Sequence, residues 1–323
     1  MSFESLRSAV DDRPNSALES HLALLREWSR KDGPLSTTSS YATTNREEWF
    51  NAETGKPTYR RSFLWYDITA RYRHPSEVSG PPSAVILAGP PGAGKSTIRR
   101  SAKWRNWLYV DADEFKTKLL EDAIASRWYE TLIPEQLRDM GEDQQFFPLE
   151  LSGLVHEESS RLATKARGEA LYHRHNVVID MVLGSESKTH DLAYELRGSG
   201  YKAIVVQVEL TQELSKARVR NRWEKDYKAA MQHVREGSSY QIEMGGRWVP
   251  SDVQDSCFSP DKPYSKSYYN ALYLANWHDD TGEALVTDLY LYRTESENGS
   301  PTLIEYRKRD NPAGELIKLS TID

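Results

Sequence analysis

Eight consecutive residues, Gly89-Pro90-Pro91-Gly92-Ala93-Gly94-Lys95-Ser96, have the types and spacing needed to hold a phosphate chain. Their glycines let the backbone curl until successive N–H groups point inward at phosphate oxygens. In such a G-x-x-x-x-G-K-S loop, Lys95 reaches the β- and γ-phosphates and the Ser96 hydroxyl is offered to Mg2+. The apolar run Ala84-Val85-Ile86-Leu87-Ala88 before it reads as a strand. Thr97 to Lys103 reads as the start of a helix, which adds the positive end of its dipole. A Gly/Pro-rich turn between a strand and a helix is the plainer reading of the same residues. Strand, loop, Lys-Ser pair and helix in this order favour a nucleoside triphosphate bound along Gly89–Thr97.

A second group follows the next expected strand, Trp107–Asp111: Val110-Asp111-Ala112-Asp113-Glu114-Phe115-Lys116. Alternation puts Trp107, Tyr109 and Asp111 on one side of that strand, and Asp113 falls beyond its end. Open α/β sheets bind ligands outside the carboxyl ends of their strands, the edge from which the glycine loop also leaves. A carboxylate there can take the proton of an attacking hydroxyl, and a second can orient Mg2+ through water. Asp is equally suited to cap the helix expected from about Glu114. Taken alone, the two readings stand side by side.

Together, Gly-x-Pro-Gly-x-Gly-Lys-Ser and Asp-x-Asp-x-Phe-Lys resemble the zeta-toxin family of P-loop kinases. The likeness runs from about Ser83 to Tyr292. It includes Glu158-Ser159-Ser160, Asn176-Val177-Val178-Ile179-Asp180, the helix around Arg218 to Glu224, and Gly245-Gly246-Arg247-Trp248-Val249-Pro250. The resemblance implies ATP and Mg2+ as cofactors, and a hydroxyl of UDP-N-acetylglucosamine or a related sugar nucleotide as acceptor. It also implies a possible antitoxin protein as partner. It assigns Lys95 to the phosphates, Ser96 and Asp111 to the metal, Asp113 to the base, Arg222 and Arg247 to the transferring phosphoryl group, and Asp180 and Glu158 to the substrate. Arginine suits that task because its charge is permanent and forked. For Arg218 and Arg222, four residues apart on a helix, the plainer alternative is a salt-bridged surface. For Arg247 it is a tight glycine turn. The chain departs from the pattern at Asp180-Met181-Val182, where the prototypes carry a glutamate and, two residues on, a threonine. Val182 cannot replace a hydroxyl's hydrogen bond, so other small-molecule or polynucleotide acceptors, or an ATP-binding switch, stay open.

The scaffold these residues need is legible in the alternation of short apolar runs with amphipathic segments, the pattern of an α/β fold with a parallel sheet. Strands are expected at Ala84–Ala88, Trp107–Asp111, Asn176–Met181, Ala203–Glu209 and Ala284–Tyr292, and a helix at Ser152–His173. Two short strands are expected around an Asp310–Gly314 turn, at Leu303–Tyr306 and Glu315–Ile317. Ahead of the sheet, Leu18, Leu22, Leu25 and Trp28 form a stripe on a helix expected over Ala17–Arg30, followed by a polar loop at Ser36–Thr44. Pro75, Gly80, Pro81 and Pro82 mark a boundary. The expected organisation is a mainly helical extension over residues 1–80, which could regulate the site in cis, and a P-loop kinase-type domain over 81–323.

Composition narrows the function classes. A net charge of −6 gives no global electrostatic case for nucleic-acid binding. The single cysteine, Cys257, rules out an intrachain disulfide and fits a reducing compartment. A polar Met1–Asn15 without a signal-peptide core, and no run long enough to span a bilayer, lead to the expectation of a cytoplasmic protein without a membrane partner. His173 and His175 lack metal-ligand spacing and are expected to meet a helix end. The Tyr264–Tyr269 segment is too short and thinly charged for a nucleic-acid surface.

Overall fold

The computed structural model describes residues 17–101, 104–138, 145–237 and 243–319. Its strands are β1 (Ser83–Ala88), β2 (Leu108–Asp111), β3 (Val177–Met181), β4 (Lys202–Glu209), β5 (Val286–Arg293), β6 (Thr302–Lys308) and β7 (Ile317–Leu319). Its helices begin with α1 (residues 17–28). They continue as α2 (Tyr59–Ile68), α3 (Lys95–Ser101), α4 (Ala112–Ala125), α5 (Tyr129–Leu132) and α6 (Glu135–Arg138). The rest are α7 (His156–Tyr172), α8 (Glu186–Gly198), α9 (Gln212–Arg235), α10 (Ser251–Ser256) and α11 (Lys266–Ala275).

The strands form one sheet in the order β2-β3-β1-β4-β5-β6-β7. The first five run parallel, and β6 and β7 close the edge as antiparallel additions. The central strand β1 is buried from Ala84 to Ala88, which is why it reads as an unbroken apolar run rather than an alternation. Val85 and Leu87 of β1, Tyr109 of β2, Val178 of β3, and Val206 and Val208 of β4 cluster with Ile98 of α3. Helices α8 and α11 pack on each other and on β4. The chain leaves β1 toward β2, beyond β3, and later crosses to β4 on the other side of β1. The carboxyl end of β1 is therefore a topological switch point, where such sheets bind ligands.

By compactness the chain divides into two units. One comprises residues up to Arg61, Lys116–Glu158 and Arg222–Asp252; the other comprises Ser62–Phe115, Ser159–Asn221 and Val253–Asp323 and carries the whole sheet. The core of the first unit holds Leu18, Leu22 and Leu25 of α1, all buried as their spacing required, with Trp28 half-buried. Beside them lies a buried polar group. Glu150 accepts from Trp223 Nε1 at 2.8 Å and from the Phe147 N–H at 2.8 Å, and His21 Nε2 lies 2.8 Å from its Oε1.

Some element ends differ from expectation for identifiable reasons. α1 stops at residue 28 rather than 30 because the Trp28 carbonyl is taken by the Leu35 N–H at 2.9 Å. α7 starts at His156 rather than Ser152: Thr43 N–H bonds the Leu154 carbonyl at 2.9 Å, and Pro148–Leu151 forms a 3-10 turn. A 3-10 turn at Thr43–Asn45 interrupts the expected loop. β5 begins at Val286, after an isolated bridge between His278 and Ala284, and β7 lies two residues later than expected.

Candidate active site

The glycine loop begins where β1 ends. Gly89 has φ +152°, and a Cβ there would stand 2.4 Å from the Val208 carbonyl oxygen of β4, so only glycine lets the chain turn this close to the neighbouring strand. At Gly94, φ is +96° and the missing Cβ leaves room for Pro301. The loop is closed internally by the Ala93 N–H on the Pro90 carbonyl, 3.2 Å, and by the Thr97 N–H on the Gly94 carbonyl, 2.9 Å, which opens α3. Ser96 is exposed in the first turn of that helix. Lys95 Nζ folds back over the loop, donating to the Gly89 carbonyl at 2.7 Å and lying 3.6 Å from Asp180 Oδ1.

Strand register brings two carboxylates to the same edge. Asp111 of β2 stands opposite Asp180 of β3, and Asp180 in turn stands opposite Leu87 of β1, two residues before the loop. Asp180 accepts a hydrogen bond from the Tyr109 hydroxyl, and the Arg99 guanidinium lies 3.3 Å from the centre of the Tyr109 ring. Burial, reinforced by the neighbouring Asp180 charge, pushes the Tyr109 phenol far above its usual range, so it remains a donor. Asp111 Oδ1 accepts the Asp113 N–H at 2.8 Å. That bond is the helix-capping alternative realised, and it starts α4 at Ala112, two residues ahead of Glu114. Asp113 thereby sits in the first turn of α4, half-buried. The junction is held from outside: Tyr72 donates to the Tyr109 carbonyl at 2.5 Å, and Arg71 pairs with Glu114 at 3.0 Å.

Arg222 on α9 and Arg247 in the 243–250 loop belong to the other unit, where their backbones are brought together. Gly246 packs so closely on the helix that a Cβ would lie 2.2 Å from the Trp223 carbonyl oxygen. The rings of Trp223 and Trp248 meet edge to face at 5.8 Å. Both arginines are half-buried. Trp248 Nε1 donates to Ser29 Oγ at 3.0 Å, tying the loop to the segment after α1.

Glu158, expected at the substrate, is fully buried in the same unit and pairs with Arg61, whose Nε and Nη2 reach its two carboxylate oxygens at 2.5 and 2.8 Å. This is the geometry of a structural ion pair. Its sequence signal was absent, because the partner lies 97 positions away. Sequence reasoning placed Tyr109 beside Asp111 without a role, weighed Arg218 only as part of a salt-bridged helix surface, and passed over Thr294. Thr294 follows the carboxyl end of a parallel strand beside β4, so the strand-edge rule could have marked it.

The residues present suit a magnesium ion carried with a nucleotide. No group of three or more His, Cys, Asp or Glu side chains preassembles a metal cage among the described residues. Mg2+ held through phosphate oxygens and waters needs only one or two protein oxygens, and Ser96 and Asp111 are of that kind.

The sequence model of the zeta toxin family matches residues 69–261. No curated protein matches the chain. Among solved structures, the AvrRxo1-ORF1:AvrRxo1-ORF2 assembly with sulphate ions is 16% identical, with a TM-score of 0.50 over 84% of this chain and 77% of that one. The PezAT chromosomal toxin–antitoxin system of Streptococcus pneumoniae is 16% identical, with a TM-score of 0.44 over 76% of this chain and 80% of that one. The first of these shares the fold, a mostly parallel sheet flanked by helices as in P-loop kinases. No helix among the described residues is long and apolar enough to cross a membrane.

Proposed function

The chain belongs to the zeta toxin family, and on that premise we propose that it is an ATP- and Mg2+-dependent kinase that phosphorylates a hydroxyl of UDP-N-acetylglucosamine or a related sugar nucleotide. The observation that carries the proposal is the convergence at one sheet edge of the glycine loop, Lys95 beside Asp180, and the in-register pair Asp111 and Asp180. Lys95 and the loop N–H groups bind the β- and γ-phosphates. Ser96 and Asp111 would hold Mg2+, which when bound neutralises charge on the phosphates. Asp113 accepts the acceptor's hydroxyl proton as the new O–P bond forms and the bond to ADP breaks, and the family pattern assigns Arg222 and Arg247 to the charge on the phosphoryl group.

Asp180 offers a carboxylate to an acceptor hydroxyl. Glu158 is assigned to the Arg61 pair and acts on the site only through the fold. Val182 is half-exposed and lacks the hydroxyl that the family pattern places there, which favours an acceptor differing from the prototype sugar nucleotide at that contact. Family membership also supports a small inhibitory protein as partner and growth arrest of a bacterial host on overproduction.

The test is turnover of ATP, Mg2+ and UDP-N-acetylglucosamine read by mass for one added phosphate, with Asp113→Asn alongside. A product made by the parent chain and missing with the variant supports both reaction and base. Full turnover by the variant refutes the base. ATP binding with no product shifts the acceptor to another hydroxyl compound.

A further inference from the structure

The turn after β5 reaches the same sheet edge as the glycine loop and is bonded to it. Thr294 Oγ1 donates to the Ala93 carbonyl at 2.7 Å, and Pro301 fills the space beside Gly94. Arg218 of α9 joins the two segments. Its Nε donates to the Gly92 carbonyl at 2.7 Å, and its Nη1 donates to the carbonyls of Ser296, Glu297 and Gly299 at 2.8, 2.7 and 2.9 Å. One turn earlier, Ser215 Oγ donates to the Pro91 carbonyl at 2.8 Å. Asn221 Nδ2 holds the Glu297 carboxylate at 2.6 Å.

Three consecutive loop carbonyls, those of Pro91, Gly92 and Ala93, are thus bonded outward. In a planar trans peptide the N–H of the next residue points opposite to the carbonyl. Pinning these carbonyls fixes the N–H groups of Gly92, Ala93 and Gly94 on the other side. The Ala93 N–H closes the loop on Pro90, which leaves those of Gly92 and Gly94 directed away from the clamp. A loop that must present N–H groups to an anion gains from having them set before the anion arrives.

We infer that Arg218, acting with the 294–301 turn, is a positioning residue of the phosphate site, holding the glycine loop in its anion-binding shape. The inference rests on the reading that this loop binds a nucleotide. The 294–301 turn lies outside the residues 69–261 that match the family, whereas Arg218 and Ser215 of α9 lie within them.

The experiment is calorimetric titration of the full chain with MgATP and with inorganic triphosphate, which lacks base and sugar. Arg218→Ala, Arg218→Lys and Thr294→Val are compared, each checked by circular dichroism and thermal melting. Loss of charge-assisted bonds at Arg218→Ala is expected to weaken both ligands by the same factor, about 10–100-fold, and loss of one neutral bond at Thr294→Val by about fivefold. Arg218→Lys keeps the charge but not the fork, so it should stay nearer to alanine than to the parent. Variants that melt lower yet bind both ligands within about twofold of the parent overturn the inference and leave Arg218 a purely structural residue. If Arg218→Ala does not fold, Thr294→Val decides by the same criterion. A parent chain that binds neither ligand overturns the nucleotide reading and the inference with it; a parent that binds, with indifferent variants, overturns the inference alone.

Discussion

Replacing Glu158 by glutamine separates the substrate role that the family resemblance implies from the structural role that its pairing with Arg61 gives it. In the structure its side chain is 0% exposed and that of Arg61 6%, and the guanidinium also reaches Asp122 at 3.2 Å and lies 4.0 Å from the centre of the Trp49 ring. The glutamine keeps the shape but turns one Arg61 donor toward an amide N–H2 and leaves Asp122 as the carboxylate against the buried cation. Removing one partner of a buried ion pair costs ~3–5 kcal/mol when the remaining charge is uncompensated, and the retained Asp122 contact puts this loss at about 3 kcal/mol. Against a total stability of ~5–15 kcal/mol that is a large fraction. At about 1.5 °C per kcal/mol for a chain of this length, the melting temperature should fall by roughly 5 °C. Removing both charges, as Arg61→Met with Glu158→Leu, should recover most of the loss, since apolar replacements of a buried pair are often neutral or stabilising. Urea unfolding of the parent, both single variants and the double variant gives the coupling directly. Michaelis constants for the acceptor are measured on the same preparations. A Glu158→Gln chain with an unchanged unfolding midpoint and a raised acceptor KM would refute the argument and return Glu158 to the substrate.

Other expectations follow from the site and its supports. Lys95→Ala and Asp113→Asn should each lower phosphoryl transfer by roughly 10²–10⁴-fold, while circular dichroism and melting stay near those of the parent chain. Glu209 is buried at the end of β4, and burial raises its carboxyl above the ordinary range despite bonds from Ser265 and Gln207. The folded protein therefore binds this proton more tightly than the unfolded chain. Glu209 contributes stability that is complete below the unfolded carboxyl value and lost as pH rises through the folded one. Comparing unfolding free energies of the parent and Glu209→Gln across the acid range should show a shallower loss in the variant, and identical slopes would refute it. Trp248→Phe removes the Trp248–Ser29 hydrogen bond at 3.0 Å and should cost ~1 kcal/mol by urea unfolding. Ser29→Ala should add little on top of it, and additive losses would show that the bond is not the shared cause.

The parts of the fold legible in the sequence are those encoded locally. β1, β3 and β4 announce themselves because strands buried on both faces must be apolar throughout, and the loop after β1 because glycine alone tolerates its backbone. Register was not legible. That Asp111 and Asp180 face one another depends on the pairing of β2 with β3, whose residues are far apart in sequence. The later start of α7 was hidden for a related reason: the Leu154 carbonyl that would extend it is claimed by Thr43, 111 positions away. Helical periodicity describes what a segment prefers, and a distant backbone donor can end the helix without altering that pattern.

The clamp on the glycine loop shows where sequence reading meets its physical limit. Every acceptor of Arg218 among its described hydrogen bonds is a main-chain carbonyl, and every residue has one. Side-chain identity at Gly92, Ser296, Glu297 and Gly299 is therefore not what the bonds select; the path of the backbone is. A motif built from side chains, such as Lys95-Ser96, leaves a pattern that a single sequence reveals. A support built from one arginine and four carbonyls leaves only the arginine, which on a helix surface looks like any solvated charge. Supports of this kind lie in the connections at the carboxyl ends of the parallel strands, because those connections share an edge with the loop whatever their composition. Thr294 and Arg218 meet that geometric condition, and it is geometry, with the donors they direct at the loop, that links them to the phosphate site.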